Sequence, residues 1–188
     1  DLKNKGVDYI FAPSLTYNIN ENKGDNHYNC PVVAYYPEVI RCNVKMNEGT
    51  KLLSPFLDIS NEKTFPKYFT RQMLSDGIEL RERDVKKAAD LAYKALYDYK
   101  REVENEGKHI IEVSERENIP LVVLVGRPYH VDSEINHGID TLLTSLGASI
   151  ITEDSVSREE EKFKTMVLNQ WTYHSRLYSA AKWVRDRK

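Results

Sequence analysis

The chain has 188 residues, enough for one α/β domain or for one domain and part of another. Its hydrophobic fraction of 40% and charged fraction of 30% are ordinary for a globular protein, and its net charge of −2 gives no basis for non-specific binding to nucleic acid or to a membrane surface. Because it has no signal peptide, no apolar run of about 18 residues and only two cysteines, we expect a cytoplasmic protein without nucleic-acid or membrane partners.

Both ends of the chain lack the usual boundaries of a complete protein. It begins at Asp1 rather than at a methionine, and it stops inside an amphipathic pattern without a helix cap. We therefore interpret the chain as a piece of a longer protein, in which any site shared with other segments is incomplete.

The first eighty residues predict short strands separated by polar loops. Strands are predicted at residues 6–14, 31–36 and 51–59. Pro13 closes the first strand, Pro37 suits the first turn of a helix after the second, and Pro55 weakens the third. The polar residues 16–29 are typical of an exposed loop, and residues 65–74 of a short helix.

Two long amphipathic helices are predicted in the rest of the chain. The first covers residues 81–106 and continues at 109–118 after a break at Gly107. Its apolar face comprises Val85, Ala88, Ala92, Leu96, Tyr99 and Val103. The second covers residues 157–188 and opens with the capping box Ser157–Glu160. Its apolar face comprises Phe163, Val167, Trp171, His174, Tyr178 and Ala181.

Between these helices lies the most regular pattern of the chain, a β-loop-α-β unit. Residues 121–125 form an unbroken apolar run, short enough for a strand that is buried on both faces. Apolar residues then recur at helical spacing, at Ile139, Leu142, Leu143 and Leu146. Gly147 supplies a helix stop, and residues 149–152 predict a second strand. Such a crossover implies that the two strands are parallel.

These patterns favour an α/β fold, a Rossmann-like three-layer sandwich with a mostly parallel sheet and one or two sub-domains. Parallel strands are expected at Val7, Val32 and Leu121, with helices on both faces of the sheet. The predicted division is into a first α/β part at residues 1–80 and a second α/β part at residues 81–188.

The loop after residues 121–125 concentrates functional groups at the carboxyl end of a strand, where open α/β sheets usually bind ligands. The candidate ligand-binding residues are Gly126, Arg127, Tyr129, His130, His137 and Gly138. Arg127 offers a bidentate donor for a phosphate or carboxylate, and backbone N–H groups at the helix start near His137 and Gly138 would bind an anion. The loop is neither a P-loop nor a GxGxxG fingerprint, and the alternative is a solvated, well-capped turn.

Histidine and cysteine spacing predicts no further site. His130 and His137 do not have the spacing of a zinc motif such as HExxH, and His174 falls on a core-facing helical position. By themselves Cys30 and Cys42 are typical of packed thiols. No Ser-His-Asp or Cys-His arrangement supports a hydrolase, so no catalytic residue is identified.

The chain resembles a known family at the segments NCPVVAYYPEVI, VLVGRPYHVDSEINHGIDTLL and ITEDSVS. The helical segment NQWTYHSRLYSAAKWV extends the likeness over nearly the whole chain. The family is that of the large activators of 2-hydroxyacyl-CoA dehydratases such as 2-hydroxyglutaryl-CoA dehydratase, also called CoA-substrate-specific enzyme activases. The chain is similar to their dehydratase-related portion.

The resemblance implies a place in an electron-transfer system of anaerobes. In that family an actin-like ATPase module, absent from this chain, drives a low-potential electron through iron–sulfur clusters to a dehydratase. The portion present is similar to dehydratase subunits, which are Rossmann-like domains that hold a [4Fe–4S] cluster through cysteines. By this resemblance the 1–80 part is the cluster side, and Cys30 is the position carried over as a metal ligand in the full-length protein. Ser14 stands where relatives often have cysteine.

A [4Fe–4S] cluster needs about four thiolates, and the chain has two cysteines. We therefore expect a cluster only in the full-length protein and no cofactor in this chain alone.

The expected function is that of an activator or auxiliary component of a 2-hydroxyacyl-CoA dehydratase-type system, which supports iron–sulfur electron transfer or binds a partner or an acyl-CoA. The expected partners are dehydratase-type subunits or the protein's own ATPase module. Without that module the chain alone is not expected to be catalytic. Two alternatives stay open, an iron–sulfur reductase of a small molecule and a non-catalytic docking domain.

Overall fold

A computed structural model describes residues 2–132, 134–158, 162 and 164–187. It is a mixed α/β structure, 50% helical and 12% strand, in which the strands form short parallel pairs. The chain divides into two compact units, Asp1–Glu21 with His27–Lys94, and Asn22–Asn26 with Ala95–Lys188. The division at residue 80 that the sequence suggests stays a prediction.

The first unit contains two parallel strand pairs that follow one another along the chain. Strand β1 (Tyr9–Phe11) pairs with β3 (Lys51–Leu53), and β2 (Ser14–Tyr17) pairs with β4 (Phe56–Asp58). The Ala12 N–H donates to the Leu53 carbonyl, and the Ser14 N–H donates to the Pro55 carbonyl. The two pairs therefore form one continuous two-stranded ribbon. Pro13 lies between β1 and β2, and Pro55 lies between β3 and β4.

The ribbon corrects two predictions. The predicted buried strand at Val7 begins instead at Tyr9, and both Tyr9 and Phe11 are more than half exposed. The predicted single strand at 51–59 is two strands, because Pro55 has no N–H to donate and breaks the pairing.

The predicted strand at Val32 is wrong, because this residue lies in helix α1 (Pro31–Asn43). Its β-branched and aromatic residues favour a strand, but Pro31 occupies the first helical position, where a missing N–H costs nothing. Pro37, which the sequence suggested as the helix start, lies inside the helix. Helix α1 packs on β2. The predicted short helix is confirmed as α2 (Phe65–Ser75).

The predicted exposed loop at 16–29 is only partly a loop. Tyr17 belongs to β2 and forms an antiparallel bridge with Tyr28. The segment Asn22–Asn26 belongs to the second unit, where the Asp25 N–H donates to the Asn169 carbonyl at 2.7 Å and the Asn169 N–H donates back to the Asp25 carboxylate at 3.0 Å.

The predicted break at Gly107 is wrong, because α3 (Glu82–Glu117) is one uninterrupted helix. A Cβ atom on Gly107 would lie 2.4 Å from the Ser155 Cβ, so the glycine permits a close approach rather than a helix end. In the first unit, the described part of α3 buries only Ala89 and Tyr93. Most of the apolar face predicted there is therefore open.

The predicted β-loop-α-β unit is confirmed in the second unit. Strands β5 (Leu121–Leu124) and β6 (Ser149–Thr152) are parallel and are connected through α4 (Ile139–Ser145). The Gly147 N–H donates to the Thr144 carbonyl and the Ala148 N–H to the Leu143 carbonyl, the two hydrogen bonds of a Schellman helix end.

Burial in this unit differs from the prediction. Strand β5 is half-buried along its whole length rather than buried on both faces. Helix α4 buries no residue, and half or more of the side chains of Ile139, Leu142 and Leu146 is exposed. Their apolar stripe therefore has no cover among the described residues.

The predicted helix at 157–188 is shorter in the structure, where α5 covers Thr172–Asp186. Ser157 is buried after a 3₁₀ turn at Glu153–Ser155 and opens no helix, while the predicted partner Glu160 and the predicted face residue Phe163 lie outside the described residues. The buried face of α5 comprises Thr172, Ser175, Ser179, Ala180 and Trp183, not the larger residues predicted.

The core of the second unit joins α3, β6 and α5. It is formed by Ile111, Ile151, Val156, Ala180 and Trp183, with Leu121 and Val123 of β5 packed against it. Small residues on α5 bring this helix close to the core. Of the described helices, none has the length and apolarity needed to cross a membrane.

Candidate functional site

The loop after β5 folds back on itself at a glycine. A Cβ atom on Gly126 would lie 2.7 Å from His130 Nδ1 and 2.8 Å from its Cβ, so a side chain here would collide with the imidazole. A 3₁₀ turn at Pro128–His130 produces this approach, with the His130 N–H donating to the Arg127 carbonyl at 2.7 Å. The space beside the Gly126 Cα is thus occupied by His130, and a ligand-binding role of Gly126 stays a prediction.

One hydrogen bond fixes the tautomer of His130. Its Nδ1 accepts from the Arg127 N–H at 3.0 Å, so the neutral ring carries its proton on Nε2. The exposed ring also makes an edge contact with Tyr129, with 4.4 Å between centroids. His130 therefore presents an N–H donor on the side of its ring away from Arg127's backbone.

The Arg127 side chain lies beside Trp171, the residue before helix α5. Its guanidinium carbon is 6.0 Å from the centroid of the Trp171 ring, at the outer limit of a cation–π contact, and the side chain is half-buried. Trp171 in turn stacks on His174, with 4.9 Å between centroids and 30° between planes. No carboxylate of the described residues forms an ion pair with Arg127.

Burial and the charge of Arg127 determine the protonation of His174 in the cluster of Arg127, Trp171 and His174. Burial of the imidazole, and secondarily the nearby charge of Arg127, lower the pKa of His174 below its usual value of 6.5. His174 is therefore neutral at pH 7, and Arg127 supplies the charge. A half-buried arginine beside an indole ring and a neutral histidine is an arrangement that can bind an anion.

The helix-start part of the predicted site forms its own local hydrogen bonds. The Gly138 N–H already donates to the Asn136 side-chain oxygen at 2.8 Å, and the Ile139 N–H donates to the Asn136 carbonyl. His137 and Gly138 both have positive φ, 57° and 75°. Within the described residues no hydrogen bond or ring contact joins these two residues to Arg127 or His130.

Sequence reasoning missed three residues of this region. The sequence pattern assigned Trp171 and His174 to a packed helix face. Their stacking on each other next to an arginine is visible only in the fold. Asn136 is 8% exposed, and its side-chain Nδ2 has no hydrogen-bond partner among the described residues. A buried amide donor without an acceptor is uncommon and points to a polar group that the described chain does not supply.

The cysteines do not fit a complete iron–sulfur cluster. Cys30 is half-buried at the residue before α1, where its thiol makes no capping hydrogen bond, and Cys42 is exposed near the other end of the same helix. At 1.5 Å per residue the two lie about 18 Å apart along the helix axis, too far to bind one cluster. The described part of the chain contains no group of three metal-binding side chains. The described chain can therefore supply at most one cysteine ligand to any single cluster.

The comparison with family models gives one match. Residues 1–156 match the family described as a CoA enzyme activase uncharacterised domain, a range that includes Cys30 and the loop after β5 but not α5. No curated protein and no solved structure matches the chain.

Proposed function

Because the chain belongs to the family of CoA enzyme activase domains, we propose that it is the ligand- and partner-binding part of an activator of a 2-hydroxyacyl-CoA dehydratase-type system. The family match supports an activator-type role, and activation of an enzyme implies contact with that enzyme. The observation that carries the proposal is Arg127, a half-buried cation at the carboxyl end of β5 with no ion-pair partner among the described residues.

The proposed ligand is the anionic part of a CoA thioester. The Arg127 guanidinium can grip a phosphate with two parallel hydrogen bonds, and the Nε2–H of His130 can add a third donor. A hydrogen bond to a charged group contributes about 1.5–3 kcal/mol, whereas a short, exposed helix start contributes roughly 0.3–1 kcal/mol. Since the Gly138 N–H is already bonded, Arg127 dominates binding in this proposal.

Replacing Arg127 by Lys tests the proposal, because lysine keeps the charge and loses the planar fork. Calorimetric titration with acyl-CoA thioesters and with dehydratase-type subunits should show weaker binding of one of them, by about tenfold, the equivalent of roughly 1.4 kcal/mol. The melting temperature should stay unchanged. Arg116→Lys, an exposed arginine paired with Glu117, is the matched control.

The two binding partners give different outcomes. If the thioester affinity falls, the site binds CoA directly; if only the affinity for the subunit falls, Arg127 binds an acidic group of the partner protein. A variant that melts at lower temperature while both affinities stay unchanged would make Arg127 a structural residue of its own loop.

A second candidate function, a docking domain without chemistry, is favoured by helix α1. Val32, Tyr36 and Val39 follow one face of this helix, and each is more than half exposed. A face of this kind suits a hydrophobic contact with a partner protein. Val39→Asp should then abolish subunit binding without affecting thioester binding, which Arg127→Lys affects in the first proposal.

The proposal extends to fold and cofactor. Each unit has parallel strands joined through a helix, which supports the proposal of a Rossmann-like fold. We place this activator in the cytoplasm of an anaerobe, with Cys30 as one ligand of an iron–sulfur cluster that other chain segments or subunits complete. An experimental structure of the anaerobically prepared assembly tests both extensions.

A further inference from the structure

The first unit contains a cavity of about 580 Å³ between α2 and the beginning of α3. Its apolar walls include Phe65, Phe69, Leu80, Val85, Ala88 and Ala92. The α3 residues belong to the apolar face that the sequence predicts to be covered. The structure instead leaves this face open and places two aromatic rings opposite small alanine side chains.

Contacts behind the cavity hold its aromatic wall in place. Phe65 stacks on Phe69 with 5.6 Å between centroids and 24° between planes, and Tyr93 makes an edge contact with Phe65 at 6.0 Å. The Tyr93 hydroxyl donates to the Ile59 carbonyl at 3.1 Å, which fixes its ring. On the other side Phe11 makes an edge contact with Phe69 at 6.2 Å. The wall is therefore formed before any ligand arrives.

Size distinguishes a small molecule from a protein helix. Small-molecule sites commonly have volumes of about 300–1,000 Å³ and largely apolar walls with a few polar groups. Three turns of an α-helix about 10 Å across would occupy roughly 1,300 Å³, more than this cavity holds. The cavity therefore fits a small molecule better than a docked helix.

Charge at the cavity selects among small molecules. Asp84 pairs with Arg81 at 2.6 Å and with Arg83 at 3.5 Å, so its charge is compensated. Glu79 also lines the cavity, is exposed and has no ion-pair partner among the described residues. Of the charged lining residues, Glu79 is therefore the one without an ion-pair partner among the described residues.

We propose that this cavity binds a small apolar molecule that carries a cationic or hydrogen-bond-donating group, of the class of alkyl and aryl amines. The apolar body lies between the Phe65–Phe69 wall and the alanines of α3, and the amine faces Glu79. An amphiphile with an apolar body of equal size but an anionic head group is disfavoured there, because its charge would face Glu79. This site is independent of Arg127, which belongs to the other unit.

Fluorescence of the neutral probe N-phenyl-1-naphthylamine, added to the full chain, tests the proposal. The probe should bind and should be displaced by decylamine, decanol and decanoate, with decylamine about fivefold more effective than decanoate, as expected for an exposed carboxylate. Glu79→Gln should reduce that ratio to about one. This variant changes one exposed side chain, so its fold is not at risk.

A filling substitution locates the site. Ala88→Phe should weaken probe binding at least about tenfold by occupying the space, while Ala95→Phe, on the same helix but outside the lining, should leave it unchanged. The proposal is overturned if the probe does not bind, if both phenylalanine variants bind it equally, or if decanoate displaces it as well as decylamine does.

Discussion

The Cβ of Ser155 lies directly against the backbone of Gly107, so close that a Cβ on the glycine would be 2.4 Å away. Ser155 is 5% exposed and follows β6, which contributes Ile151 to the core of the second unit. The glycine in the middle of a 36-residue helix therefore lets α3 approach the turn after β6. A residue that looks like a helix break is thus a packing contact.

Gly107→Ala should destabilise the protein, although alanine is the better helix former. The propensity gain is about 1 kcal/mol, whereas forcing a methyl group into a packed contact typically costs about 1–3 kcal/mol. We expect a net loss of about 1 kcal/mol in the free energy of unfolding. Urea denaturation followed by circular dichroism measures it.

The second-site variant Ser155→Gly provides the control, because it removes the Cβ atom that collides. In the Ser155→Gly background, Gly107→Ala should therefore destabilise the protein much less than it does alone. An alanine variant that is as stable as the original protein would show that α3 can move away from Ser155 at no cost.

The pKa of His174 should depend on the charge of Arg127. Because burial is the larger cause, Arg127→Gln should raise the pKa of His174 but leave it below 6.5. An anion bound to Arg127 should raise that pKa in the same direction. Proton NMR of the imidazole against pH measures both shifts, with Arg116→Gln as the control.

The stability consequence of His174 has a definite sign. Its pKa is lower in the folded than in the unfolded chain, so the unfolded chain binds the proton first. Stability should therefore fall as the pH drops below about 6.5 and level off below the folded-state pKa. A His174→Gln variant should lack this part of the pH dependence; an equal fall in both proteins would remove His174 as its source.

Asp25 should titrate below its usual value. The hydrogen bond from Lys162, and next the backbone N–H of Asn169, lower the pKa of this carboxyl from 3.8. The stability it contributes is present above the unfolded pKa and is lost as pH falls through the folded one. Lys162→Gln should raise the pKa of Asp25 towards 3.8 without reaching it, as carboxyl ¹³C NMR measures.

Asp186 is the internal control for that titration. Hydrogen bonds from Arg185 and Lys182 lower its pKa to about 2, and neither residue is changed in Lys162→Gln. A simultaneous shift of Asp186 would mean that the variant disturbs more than the contact with Asp25.

The two cysteines should differ in their effect on iron. If Cys30 ligates a cluster with other subunits, Cys30→Ser should lower iron per assembly after anaerobic purification, whereas Cys42→Ser, exposed near the end of α1, should not. The isolated chain should stay colourless after reconstitution, since two thiols about 18 Å apart cannot complete a cluster. Equal iron in both variants would make Cys30 a packed thiol.

Local patterns predicted the second unit best, because there they agree with one another. The apolar run at 121–125, the stripe that begins at Ile139 and the stop at Gly147 each specify their own element, and the structure contains all three. Their burial could not be predicted in the same way. Periodicity shows which residues share a face, but not whether another element covers that face.

Elsewhere a local preference was overridden or ambiguous. Val32 lies in a run with strand propensity, and only the position of Pro31 at the helix start decides between the two structures. On α5 the buried positions are occupied by small residues such as Ser175 and Ser179, which no hydrophobicity pattern identifies. The contact of Arg127 with Trp171 joins residues far apart in sequence, so spacing gave no sign of it.

The prolines in the ribbon of the first unit have a consequence for self-association. Its outer edges would offer backbone donors and acceptors to a strand of another copy, the first step towards cross-β fibrils. Pro13 lies between Ala12 and Ser14, whose N–H groups bond within the ribbon, so it removes a donor from the outer edge. Pro55, whose carbonyl accepts from Ser14, removes a donor from inside the ribbon, and each strand is three or four residues long. Replacing Pro13 by valine should therefore favour fibrils that bind thioflavin T more than replacing Pro55 does, because only the first substitution restores a donor at the outer edge.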